Sequence, residues 1–172
     1  MPTLTEGSLC FNFPEGWHVG KYDDWSFYRN QFSRMRNEIK ALDILAVDPR
    51  KITWLIEVKD YRARPRTKPS DLADEIAHKV FDTLAAIIPA GINANDSEEK
   101  ELARRVATCE KLRVILHLEL PASPLNPRGS VQQNIALRMR RLLKSIDATA
   151  IVVAMADVRT LVWNVTDITA PP

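Results

Sequence analysis

The sequence predicts an α/β protein: a three-layer α/β/α sandwich with helices covering both faces of a mixed sheet. Three observations carry this. Apolar runs of strand length, within 40–62, at 112–120 and at 150–155, alternate with stretches of helical periodicity. The runs within 40–62 are separated only by Asp48-Pro49-Arg50, too short for a crossover, so they form an antiparallel hairpin; later strands follow helices and are expected to run parallel. Leu112–Leu118 is apolar on both faces, as a strand covered from both sides would be.

Length and composition set the frame. The 172 residues fit a single domain spanning 1–172, and 45% hydrophobic with 27% charged residues is ordinary for a folded globular chain. No apolar run approaches the roughly 20 residues that cross a bilayer, so no membrane partner is expected. The start, MPTLTEGSLCFNF, lacks the basic opening and long apolar centre of a secretory signal, which points to a cytoplasmic protein. Cys10 and Cys109 have no metal-ligand spacing and read as reduced core thiols. A net charge of +2 says little about a nucleic-acid partner; the distribution of charge must do so.

Taken in order, residues 8–13 read as a short strand and Pro14-Glu15-Gly16 as a turn. Asp23-Asp24 caps a predicted helix to about 36, with Trp25, Tyr28, Phe32 and Met35 on one face. After the hairpin, Pro69-Ser70-Asp71 opens a helix with Ser70 as N-cap, an apolar stripe of Leu72, Ile76, Val80, Leu84 and Ile87, and Pro89 and Gly91 as its end. Residues 90–97 read as a loop, and Asp96 with Glu99 as a capping box for a helix over 97–108. The 112–120 strand is followed by a loop held extended by Pro121, Pro124 and Pro127, then a helix over 131–146 whose Arg138, Arg140, Arg141 and Lys144 form a basic outer face. Ala150–Met155 is a strand, Leu161–Val165 its hairpin partner at the sheet edge, and Thr169-Ala-Pro-Pro a frayed tail.

Chemistry concentrates in the hairpin. Asp43, Glu57 and Lys59 are charged residues set into apolar strands, which is costly unless they are paired or bind a metal. Glu57 and Lys59 share a face. If Val47 pairs with Thr53, Asp43 lies opposite Glu57 on that face, whereas a one-residue slip separates the acids; an odd loop or bulge at the turn is therefore expected. Opposed carboxylates repel unless a cation lies between them, and a hard ion such as Mg²⁺ or Mn²⁺ takes such oxygens. Lys59 would orient a water or offset phosphate charge.

Asp43, thirteen intervening residues and then Glu57-Val58-Lys59 resembles the PD-(D/E)XK nuclease superfamily, the restriction-endonuclease-like fold, with Leu42 where the name-giving proline would stand. The resemblance implies a metal-dependent endonuclease acting on DNA in defence, repair or recombination. It implies Asp43 and Glu57 as metal ligands with the Val58 carbonyl, Lys59 as the catalytic lysine, an additional acid for which Glu38 and Asp24 are the candidates, and a homodimer or partner proteins. The chain also holds Glu38-Ile39-Lys40 and Glu98-Glu99-Lys100, but only the Asp43–Lys59 set has both acids in apolar strands. Downstream, Arg62, Arg64, Arg66 and Lys68 in a proline-interrupted loop are candidates for phosphate contacts, and Lys79 reaches the site if its helix packs beside Glu57. His78 and Asp82 are expected to pair on the surface, and His117 and Glu119 to share a strand face at the cleft or in solvent. No Gly-rich phosphate loop and no serine or cysteine nucleophile motif appears. The alternative is a nuclease-like domain that binds DNA or a protein partner without cutting.

Overall fold

Asp48 makes the hairpin. In the computed structural model, its carboxylate accepts the N–H groups of Arg50 (2.8 Å) and Ile52 (3.0 Å), and its backbone N–H donates to Ile52 (3.0 Å). Lys51 takes a left-handed φ of 59° between them. The result is a three-residue loop, the odd count that the site requires. The structure describes residues 1–68, 70–121, 128–157 and 160–169; Pro69, Pro124, Pro127 and the tail after Thr169, read above as helix start, loop and fray, lie outside them.

The strands are β1 (Thr3–Glu6), β2 (Leu9–Asn12), β3 (His18–Lys21), β4 (Ile44–Val47), β5 (Ile52–Asp60), β6 (Lys111–Glu119), β7 (Ile151–Val153) and β8 (Asn164–Asp167). The helices are α1 (Ser26–Asn30), α2 (Leu72–Asn93), α3 (Ser97–Ala107) and α4 (Arg128–Leu142). A mixed five-stranded sheet runs β3-β4-β5-β6-β7, antiparallel from β3 to β5 and parallel from β5 to β7. A second sheet, β1-β2-β8, is antiparallel throughout.

That second sheet corrects the expected layering. Leu45, Val47 and Leu55 face a core built with residues of all four helices, among them Phe27, Ile76, Val106 and Met139. Ile44, Ala46, Ile56, Val58 and Ile115, on the opposite face, pack against Phe11, Phe13, Trp163 and Val165 of the small sheet and its flanks. The described layers are therefore helices, large sheet and small sheet, with no helix on the second face. The physical reason is aromatic: Phe13, Trp17, Trp54 and Trp163 meet with ring centroids 5.4–6.0 Å apart, and that apolar area is buried between sheets.

The small sheet also explains several boundaries. β8 pairs with β2, not with the 150–155 strand, because Trp163 and Val165 are drawn into this inter-sheet core. β1 and β3 are polar edge strands with exposed or half-buried side chains and carry little apolar pattern. The helix predicted over 23–36 divides into short 3-10 turns around the five-residue α1, because Tyr22, Trp25, Phe27 and Phe32 are all buried and no single helical face holds that spacing. Glu99, expected to close its own capping box, instead accepts the N–H groups of Ser26 (2.6 Å) and Phe27 (3.0 Å) and caps α1.

α2 begins one residue later than expected, on Asp71, whose carboxylate accepts from Ala73 and Asp74. It continues through Pro89 to Asn93, because Ala86, Ile87, Ala90 and Gly91 remain buried and Arg104 of α3 donates to the Gly91 carbonyl (2.8 Å). Thr83, buried on this helix, accepts the N–H of Leu42 (3.1 Å) and fixes the chain just before β4.

Candidate functional site

The β4–β5 register is Val47↔Thr53 and Ile44↔Ile56. Continued by one residue, it sets Asp43 opposite Glu57 on the helix-covered face, beside Leu45 and Leu55. Past the start of β4 the Asp43 side chain takes the place of a strand partner: its Oδ2 accepts the Val58 N–H at 2.7 Å. In a strand the N–H and C=O of one residue face the same neighbour, so the Val58 carbonyl turns toward Asp43 as well.

Glu57 is fully buried and Asp43 is 7% exposed. Two ammonium groups converge on Glu57 Oε1: Lys59 from its own strand at 2.5 Å, and Lys79 from α2. The Lys79 ammonium also lies 3.6 Å from Asp43 Oδ1 and so bridges the two acids. Glu57 Oε2 is buried and has no hydrogen-bond partner among the described residues. Burial, reinforced by the Asp43 charge and opposed by the two lysines, pushes the Glu57 carboxyl up to about 7. The pull of Glu57 outweighs desolvation at Lys59 and holds its ammonium above the ordinary range.

The other expected residues divide. Asp24 is exposed and paired with Lys21 and Arg29, and Glu38 is exposed with a left-handed φ of 66°, so neither joins the cluster. Asp23 is the acid of that segment that senses Asp43: burial, Glu6 and Asp43 push its carboxyl up to about 6, and its buried Oδ1 lacks a described partner. Arg62 is tied to Asp60 (2.6 Å) and Asp167 (2.5 Å), a link between the two sheets. Arg66 pairs with buried Glu75 of α2 (3.1 Å), Lys68 lies 3.7 Å from the same carboxylate, and Arg64 is exposed. A cavity of about 260 Å³ opens here, lined by Lys59, Tyr61, Arg66, Lys68 and Glu75.

His117 bonds Glu119 (3.1 Å) and meets Phe11 edge-to-face between the sheets, on the face away from Glu57. Asp82 does not pair with His78; it accepts from Lys40 N–H (2.9 Å) and Arg36. Glu75, unforeseen as a site neighbour, had a signal. Glu75, Lys79 and Thr83 recur at i+4 beside the apolar stripe, a polar row turned toward the acids.

The fold and cluster define a mixed α/β protein with two sheets, a buried pair of carboxylates and two lysines between them. Over 167 aligned residues the chain is 33% identical to a protein of Neisseria meningitidis (serogroup A, serotype 4A) named a cysteine–tRNA ligase. That match takes in 78% of this chain and 24% of the relative, so the chain spans about a quarter of that protein's length. No family model matches, and no solved structure matches.

Proposed function

We propose that this is a divalent-metal-dependent nuclease of restriction-endonuclease-like type, hydrolysing phosphodiester bonds in DNA. The observation that carries the reading is the orphaned, buried Oε2 of Glu57 on the same face as Asp43. Both lysines sit on Oε1, so Oε2 is left without the hydrogen bond or metal bond that a buried carboxylate oxygen requires. The donor set would suit a hard ion, since two carboxylates and the Val58 carbonyl are all oxygen; among the described residues no group of three or more His, Cys, Asp or Glu side chains gathers to hold a metal, so waters would complete the coordination. Asp43 and Glu57, with Val58, would hold Mg²⁺ or Mn²⁺, which would activate a water and offset charge on the phosphate.

The chain's residues do the rest. Lys59, partly exposed at the mouth, presents its ammonium where a phosphate oxygen or attacking water would lie. Val58 N–H fixes the orientation of the Asp43 carboxylate, and Thr83 fixes the strand that delivers it. Arg64 and Lys68 suit phosphates farther along the strand. The tRNA in the relative's name makes RNA the comparison substrate. Plasmid DNA, branched DNA and tRNA incubated with Mn²⁺ should show cleavage of DNA by wild type, reduced by about a hundredfold or more in Asp43→Ala and Lys59→Met. Equal cleavage by all three proteins would place the activity elsewhere.

A specific observation favours a second reading. Lys59 and Lys79 already neutralise both acids, an arrangement that a domain binding DNA or a protein without cutting could keep permanently. Stabilisation of the fold by Mn²⁺, lost in Glu57→Ala, separates the nuclease from that silent form.

A further inference from the structure

Lys79 lies where a metal would bridge the carboxylates, and its position has a consequence for the order of binding. We infer that Lys79 makes metal binding conditional on the nucleic acid: without a phosphate the ammonium fills the gap between Asp43 and Glu57, and the metal takes that gap only when an anion arrives to draw Lys79 and Lys59 away. The inference rests on the metal-site reading above.

Charge sets this order of binding. With both acids ionised, the two carboxylates and two ammonium groups cancel, and the cluster lies with Glu57 at 0% and Asp43 at 7% exposure, with the lysine side chains at 21% and 15%. A divalent ion added to that set leaves two uncompensated positive charges in a poorly solvated site, which is unfavourable. Two neighbouring phosphodiesters of a nucleic acid would supply the two negative charges that restore balance. The lysines have somewhere to go: Lys59 also lines the cavity shared with Arg66 and Lys68, and Lys79 is held to Glu57 and Asp43 only by its terminal ammonium on a flexible stem. Linkage is reciprocal, so DNA must also bind more tightly in the presence of the metal.

The test is Mn²⁺ binding followed by electron paramagnetic resonance, on wild type and Lys79→Gln, each with and without a short DNA duplex at low temperature. Wild type should bind Mn²⁺ about tenfold more tightly with the duplex than without it. Lys79→Gln should bind it tightly in both states, with the coupling lost. Equal wild-type affinity with and without duplex overturns the inference while leaving the metal site intact. Absence of Mn²⁺ binding in every state overturns the metal-site reading and the inference with it. Should Lys79→Gln fail to fold by circular dichroism, the two wild-type arms still decide the linkage.

Discussion

Asp23 shows how burial, reinforced by the neighbouring Glu6 and Asp43 charges, tunes a single carboxyl in this protein. Its shift to about 6 means the protonated form is favoured in the fold. The stability it contributes is therefore present below the ordinary carboxylate range and lost as pH rises through 6. Asp23→Asn should remove that loss. After discounting for partial solvent exposure, the variant should be more stable than wild type by about 1 kcal/mol above pH 7 and equal to it below about pH 4, measured by urea denaturation across pH. Thr83 works in the opposite sense, since it satisfies a buried N–H. Thr83→Val leaves Leu42 N–H without its acceptor and should cost about 1–2 kcal/mol in the same measurement.

At the scale of elements, the hairpin was legible and the helix that completes the site was only half so. Side-chain alternation along β5 and the proline turn determine which residues share a face, and both are local, so Asp43, Glu57 and Lys59 could be brought together on paper. Lys79 could be linked to Glu57 only if its helix packed there, a tertiary fact. Glu75 was read as a dipole-complementing residue, because nothing local distinguishes that role from a buried ion pair with Arg66. The 23–36 segment failed for a related reason: its aromatic spacing imitates a helix, and the group that caps the start of α1 at Ser26 comes from Glu99, 73 residues away. The basic loop is divided by its partners. Arg64→Ala and Lys68→Ala should each weaken DNA binding and reduce its salt dependence by about one phosphate contact, read by fluorescence anisotropy at several ionic strengths.

For the whole molecule, the decisive feature is how the small sheet is tied to the large one. Edge strands such as β1 and β8 have weak patterns, so the sequence alone could not show that the second face of the large sheet would be covered by strands. Arg62 joins Asp60 on β5 to Asp167 on β8, and Ser8 donates to Asp60 (2.8 Å). The Arg62 hydrogen bonds hold the Asp60 carboxyl well below the ordinary carboxylate range, so its stabilisation is present above pH 4 and is lost as pH falls through the lowered value. Arg62→Ala should lower the neutral-pH urea midpoint and flatten the acid limb, while leaving DNA affinity unchanged.

The three indoles between the sheets give this architecture an optical signature. Trp17, Trp54 and Trp163 lie within 6.0 Å of one another by centroid, close enough for their excited states to couple, whereas Trp25 sits alone among them in the helix-side core. Near-ultraviolet dichroism thus reports the separation of the two sheets, and far-ultraviolet dichroism reports the helices. Heating that uncoupled the indoles before the helices melted would reveal the small sheet as a detachable cover.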